Sequence, residues 1–338
     1  MDSMVDFLAR IGTQFQSPTL GFLIAGMVVA ALGSRLQIPN AIYQFAVFML
    51  LMRIGMKGGM EIREAELVDM LLPAVAAVAI GLGTVLLGAV TLARLPGVKR
   101  EDALATAGLF GAVSASTLAA AMVLLEHEGI AYEAWAPALY PFMDIPALVL
   151  AIVLANLHIA RRSGDGGSNV EIWPIIKESL QGAALSALLL GLAIGLLTRP
   201  ERVFDSFYDP LFRGLLSVLM LIMGMEAYTR LNELRKVAHW YAVYAFAAPI
   251  VHGLVGFGFG YLAHLATGFS PGGVVLLAVL AASSSDISGP PTLRAGIPSA
   301  NPSSYIGAST SIGTPIAIAV CIPLFIALAQ VVFPVAGG

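Results

Sequence analysis

The chain has 338 residues, 58% of them hydrophobic and only 12% charged, with a mean hydropathy of +0.86. Water-soluble domains carry about a quarter of their residues charged, so this chain lacks the surface chemistry of a protein dissolved in water. The net charge of −3 is too small to indicate a nucleic acid or other polyanion as partner, and a single cysteine, Cys321, excludes an intramolecular disulfide framework and any multi-cysteine metal site.

Residues 1–16 open on Met-Asp, with no basic region and no long apolar stretch before Ser17, so no cleavable signal is expected. Met4, Phe7, Leu8, Ile11 and Phe15 fall on one helical face there, the pattern of a short interfacial helix. Ten segments then read as membrane-crossing helices: 17–37, 40–60, 68–95, 101–126, 132–161, 173–198, 208–230, 239–266, 271–297 and 302–333. Met70 to Ala93 and Ala103 to Leu125 are uncharged and longer than the ~20 residues that span a bilayer. From Ala295 to Gly338 there is no Lys, Arg, Asp, Glu or His.

Orientation follows from the basic residues in the connections. One side collects eleven, among them Arg94, Lys99, Arg100, Arg161, Arg230, Arg235, Lys236 and Arg294; the other holds seven, including Arg10, Arg53, Lys57, Arg63 and Arg213. The first side is expected to be cytoplasmic in a plasma (inner) membrane, with both termini extracytoplasmic. Trp135, Trp173 and Trp240 start predicted spans, at headgroup depth.

The order of features repeats. Segments one and two, from Leu23-Ile-Ala-Gly-Met to Arg53-Ile-Gly-Met56, echo segments six and seven, from Leu189-Gly-Leu-Ala-Ile to Leu221-Ile-Met-Gly-Met225. The run Phe110 to Thr117 in segment four echoes Leu280 to Ser288 in segment nine, and Asp144-Ile-Pro146 stands where Gly313-Thr-Pro315 stands. The expected fold is therefore an all-α polytopic membrane protein of ten transmembrane helices, built as two inverted five-helix repeats, 1–165 and 173–338. A short cytoplasmic linker, 166–172, would join them, overlapping the hydrophilic stretch Arg162–Glu171.

Segments four and nine carry the chemistry. Each has tiny and hydroxyl residues at mid-span: Ser114, Ala115, Ser116 and Thr117 in one, Ser283 to Ser288 in the other. The second run meets Gly289-Pro290-Pro291, and proline removes a backbone donor and clashes with the preceding turn, so the helix is expected to open around 285–289. Freed backbone groups at membrane depth are tolerated only where protein buries them or a wet cavity bathes them. Half-helix N-termini suit a small anion. Asp286 and Asp144, carboxylates at bilayer depth, cost several kcal/mol unless paired or coordinating, and a bound Na⁺ is their simplest partner. Hydroxyls are also common at membrane packing seams, so the proline-free run in segment four is the weaker of the two signals.

Other polar residues have plainer readings. Lys57 and Glu226 follow matching Gly-Met pairs and read as snorkelling side chains; His252 reads as a satisfied packing residue. Glu126, His127, Glu128 and Glu133 read as a solvated acidic loop. No nucleotide loop, catalytic triad or metal-ligand cluster is present, and nothing resembles the ring or carbonyl filter of a channel. No enzyme activity and no cofactor are expected.

The chain resembles the sodium-dependent bicarbonate transporters of cyanobacteria, the SbtA type, over nearly its whole length. The resemblance rests on Gln16-Ser-Pro-Thr-Leu20, Gly108-Leu-Phe-Gly-Ala-Val-Ser114, Ala138-Leu-Tyr-Pro-Phe-Met-Asp-Ile-Pro-Ala147, Tyr208-Asp-Pro-Leu-Phe-Arg-Gly-Leu-Leu216 and Ser283 to Arg294. It implies Na⁺-coupled HCO₃⁻ uptake feeding a CO₂-concentrating mechanism. It also implies a homotrimer in the lipid membrane, an elevator-like core (segments three to five and eight to ten) moving against a gate, and a PII-like regulator on the cytoplasmic face. The linker of about ten residues between Arg162 and Trp173 is shorter than that family's, which puts regulator docking in question. Bicarbonate would be held by Ser114, Ser116, Ser283, Ser284, Ser285 and backbone N–H groups near Gly111 and Ala115. Sodium, the coupling ion, would be held by Asp144 and Asp286 with Thr117 or Ser283. A cation/proton antiporter, which can use the same inverted-repeat plan, is the alternative.

Overall fold

The computed structural model describes residues 17–63, 67–163, 172–234 and 239–333. The expected interfacial helix at 1–16, most of the linker, and Arg235 and Lys236 lie outside the described residues. Those described are helical, with no strand among them.

In chain order, Ser17 caps α1 (Pro18–Ala31) by accepting from the Leu20 N–H, and Pro18 takes the first turn, where its missing donor costs nothing. α2 (Asn40–Ile62) and α3 (Leu67–Thr91) follow, and α3 runs on through a tight turn, Leu92–Arg94. Segment four is two helices, α4 (Arg100–Gly111) and α5 (Ala115–His127). α6 (Tyr140–Ser163) is entered through the turn Ala136–Leu139.

The expected span 173–198 is also two helices, α7 (Ile172–Gln181) and α8 (Ala183–Leu197). They part at Gly182, whose extended backbone (φ −58°, ψ 137°) ends one helix and begins the next. A short turn and a π-turn (Phe204–Tyr208) lead to α9 (Asp209–Leu234), then α10 (His239–Thr267). Segment nine divides into α11 (Pro271–Ala282) and α12 (Gly289–Gly296). The last segment starts as α13 (Pro302–Ala308), loosens through π-turns at Ser309–Gly313 and Ala317–Cys321, and ends as α14 (Ile322–Val332).

Among the described residues six stretches are long and apolar enough to cross a membrane: Val68–Arg94, Arg100–His127, Ala136–Arg161, Glu201–Leu231, His239–Thr267 and Pro302–Val332. Pro18–Ala31, Ala183–Leu197 and Pro271–Ala282 are shorter apolar helices. Large apolar side chains of α1, α3, α8 and α10 point outward (Val68, Leu71, Leu190, Phe246 and Leu262 among them), as a lipid-facing surface requires. α4, α5 and α11 are buried almost completely. A helix apolar on every side belongs at the centre, and the two interrupted helices occupy it.

Two helix pairs make the closest backbone-to-backbone contacts among the described residues. α2 packs on α8 and α1 on α9. Gly55 and Gly59 of α2 lie against the carbonyls of Leu188 and Leu192, and Gly191 and Gly195 of α8 against those of Met52 and Met56. A Cβ at any of the four would collide with main chain. This reciprocal Gly-x-x-x-Gly contact needs small residues because nothing but van der Waals packing holds apolar helices together in lipid. Gly26 against Leu221 and Gly224 against Leu23 repeat the arrangement between α1 and α9.

Candidate functional site

The two interruptions meet face to face. α4 ends at Gly111 and α11 at Ala282, each followed by extended backbone (Ala112 ψ 167°, Ser283 ψ 169°). Val113, Ser114 and Ser285 cannot donate within a helix, yet each finds a partner. The Val113 N–H donates to Asp144 Oδ1 at 2.8 Å, Ser114 N–H to Ser283 Oγ at 3.0 Å, and Ser285 N–H to the Leu109 carbonyl at 2.9 Å. Every donor is buried, so leaving any one unpaired would cost roughly 1–3 kcal/mol. The Phe110 carbonyl, also released by the break, lies 3.2 Å from His252 Nδ1. His252 is buried beside it and serves as a packing residue with a defined partner.

Each second half-helix starts at this junction. Ser114 caps α5: its Oγ accepts from the Thr117 N–H at 3.1 Å and from Thr117 Oγ1 at 3.0 Å. Ser285 Oγ accepts the Gly289 N–H at 2.8 Å at the start of α12. Pro290 and Pro291 sit in the first turn of α12, so the opening spans Ser283–Ser288, slightly earlier than the expected 285–289. Of the four first-turn N–H groups of α5, those of Ala115 and Ser116 are left once Ser114 and Thr117 are accounted for.

Hydroxyls link the breaks to the two acids. Ser116 Oγ donates to Asp286 Oδ2 at 2.6 Å and lies 2.9 Å from Ser114 Oγ. Ser288 Oγ lies 3.1 Å from Ser285 Oγ and donates to Asp144 Oδ2 at 3.4 Å. The Tyr140 hydroxyl donates to the Val113 carbonyl at 3.1 Å. Asp144 is fully enclosed, with both oxygens engaged in holding the breaks. Asp286 differs: its Oδ1 is buried and has no hydrogen-bond partner among the described residues.

Asp286 also borders a cavity of about 570 Å³. Asn40 and Tyr43 of α2, Glu226 and Arg230 of α9, and Arg294 of α12 line it. Asn40 begins α2 and Arg230 lies near the end of α9, so the cavity occupies one end of those helices. Glu226 and Arg230 approach each other at 3.9 Å, one turn apart. The wall thus presents both charge signs beside Asp286.

Ser114, Ser116, Thr117, Ser283, Ser285, Asp144 and Asp286 therefore share one network, with Ala115 buried among them. Ser284 turns the other way, 2.7 Å from Ser309 Oγ and 3.5 Å from Thr314 Oγ1. Gly111 faces Val85 and Ala147 rather than the network. Ser288 belonged to the hydroxyl run singled out in segment nine, whereas Tyr140, Ser309, Thr314 and the cavity arginines were not among the sequence-derived candidates. The hydroxyl run Ser309–Thr314 inside an apolar span was the signal available for the last segment.

A family model described as the Na⁺-dependent bicarbonate transporter superfamily matches residues 18–330. No curated protein matches the sequence.

Proposed function

This chain belongs to the Na⁺-dependent bicarbonate transporter superfamily, a family of transporters and not of enzymes, and on that premise we propose that it is a symporter carrying HCO₃⁻ and Na⁺ together by alternating access. The observation that carries the proposal is Asp286, which borders a cavity and whose Oδ1 is buried with no hydrogen-bond partner among the described residues. A carboxylate in such a place calls for a cation. Na⁺ takes Asp286 Oδ1 with oxygens from Ser116, Thr117 or Ser283, while Asp144 holds Val113 and Ser288 so that the oxygens converge. Bicarbonate takes the N–H groups of Ala115 and Ser116 with the hydroxyls of Ser114, Ser116, Ser283 and Ser285, at the positive ends of α5 and α12, while Ser284, turned toward Ser309, stays outside this set. Na⁺ bound at Asp286 cancels the carboxylate charge that would otherwise repel HCO₃⁻, which is the physical basis of coupling.

The packing supports an inverted ten-helix repeat. Exchanging the two halves turns the α1–α9 contact into the α8–α2 contact. It also turns the Asp144–Val113 bond, between the fifth segment and the first break, into the Ser309–Ser284 bond between the tenth segment and the second break. α1, α2, α8 and α9 then form the gate, and the remaining helices the core. The outward-facing termini rest on the distribution of basic residues; the homotrimer, the PII-like regulator and the place in a CO₂-concentrating mechanism rest on the resemblance alone.

The test is uptake of labelled bicarbonate at fixed pH, with Na⁺ replaced by K⁺. Uptake should fall to background, and undiminished uptake would sink the coupling. A cation/proton antiporter would instead show Na⁺-driven proton flux in vesicles free of bicarbonate.

A further inference from the structure

At the end of α2 away from the cavity, a ladder of charged residues grips the opposite part of the molecule. Arg53, Lys57 and Glu61 recur every fourth residue, so they lie on one face of the helix. Arg53 reaches the last turn of α5, and Lys57 and Glu61 reach the segment that follows it. Arg53 Nη2 lies 3.4 Å from Glu126 Oε1, Lys57 Nζ stands 5.6 Å from the centre of the Tyr132 ring, and Glu61 Oε2 accepts the Ala134 N–H at 2.9 Å. Between the last two, Gly58 brings α2 close to the Ala134 carbonyl, which would lie 3.1 Å from a Cβ. Arg213 of α9 adds a second cation 3.9 Å from Glu126.

The gripped segment is itself fixed to α11. Glu133 accepts from Ser270 N–H and Oγ, both at 2.7 Å, at the cap of that helix. Gly272 lies against the Ala131 carbonyl, and the Tyr132 hydroxyl donates to Glu126 at 3.2 Å. The segment therefore moves only with α11, whose far end is the break at Ser283. α2 is 23 residues long, about 34 Å, with the cavity near one end and the ladder near the other.

We infer that Arg53, Lys57 and Glu61 form a latch that holds the site shut on the side opposite the cavity, so that opening to that side requires breaking all three contacts together. The inference rests on the alternating-access reading above. The latch contacts are polar and partly exposed, so they can exchange for contacts with water, unlike the apolar seams. Arg53 is a poor place to test it, because it also donates to Asp209 Oδ1 at 3.0 and 2.6 Å and packs on Phe212 at 4.2 Å. Losing those contacts would damage α9 for unrelated reasons.

The experiment uses the full-length chain with Cys321→Ser, and Ala295→Cys on the cavity wall. A membrane-impermeant maleimide is applied from the cavity side, with and without Na⁺ and bicarbonate. In the parent, Na⁺ and bicarbonate should change the labelling rate. Lys57→Met, Glu61→Leu and Glu126→Gln weaken the ladder; Gly58→Val pries the segment away without removing a charge. Each should slow labelling about 3- to 10-fold as the population shifts to the opposite opening. Unchanged labelling in all four, while the parent still responds to Na⁺ and bicarbonate, would overturn the latch. No response in the parent would overturn alternating access and the latch with it.

Discussion

Ser285 donates its main-chain N–H to the carbonyl of Leu109 at 2.9 Å, which joins the two interrupted helices where each has lost its own hydrogen-bond ladder. Ser114 N–H answers by donating to Ser283 Oγ. Each break thus satisfies the other, and a lesion in one propagates to both.

Ser283→Ala removes the acceptor of a buried N–H and should lower stability by about 1–3 kcal/mol. Ser283→Thr, which keeps the hydroxyl, should restore most of it. The readout is the melting temperature of the detergent-solubilised protein.

The two acids should separate. Asp286→Asn should leave folding intact and raise the half-saturating Na⁺ concentration tenfold or more, about 1.4 kcal/mol of lost cation binding. Asp144→Leu should instead lower the melting temperature, since Val113 N–H and Ser288 Oγ lose their acceptor. Uptake against Na⁺ concentration, with a thermal melt of each variant, checks both. A normal Na⁺ curve for Asp286→Asn would remove it from the cation site.

His252→Leu should cost about 1–3 kcal/mol, because the Phe110 carbonyl is left buried and unpaired. His252→Gln offers a donor again and should recover part of the loss. Hydrogen exchange across 108–116, measured by mass spectrometry, would localise the effect to the break.

Gly191→Val places a side chain against the Met52 carbonyl, 2.6 Å from the first added carbon. Overpacking of this kind costs typically ~1–3 kcal/mol, and here main chain must move. Reduced folded yield in membranes is expected, whereas Gly83→Ala, where nothing lies within 4 Å, should be silent.

Arg294→Gln removes a guanidinium from the cavity wall. The apparent KM for bicarbonate should rise about 3- to 10-fold, with a weaker dependence on ionic strength than in the parent. Uptake kinetics at two salt concentrations tests this.

The helical membrane character and both breaks were legible because they are written locally, in hydrophobic runs and in Gly289-Pro290-Pro291. The proline-free break was marked only by Ser114–Thr117, and there the hydroxyl itself makes the cap. The interruption at Gly182 was missed because Gly191 and Gly195 make glycine ordinary in that span. Partnerships across the chain were not legible. Asp144 meets Val113 and Glu61 meets Ala134 through tertiary packing, with no periodicity to announce either. For the same reason Lys57 read as snorkelling but stands over Tyr132. Glu126 and Glu133 likewise read as a solvated loop, yet both are bonded.

The glycine contacts of α2 with α8 and α1 with α9 carry a mechanical consequence. Where main chain rests on main chain there is no layer of rotatable side chains to absorb sliding, so within each pair the two helices are held as one body. In the alternating-access proposal, displacement then falls to the border of α2 and α9 with α5 and the cavity, where the polar contacts of Arg53, Lys57 and Glu61 lie.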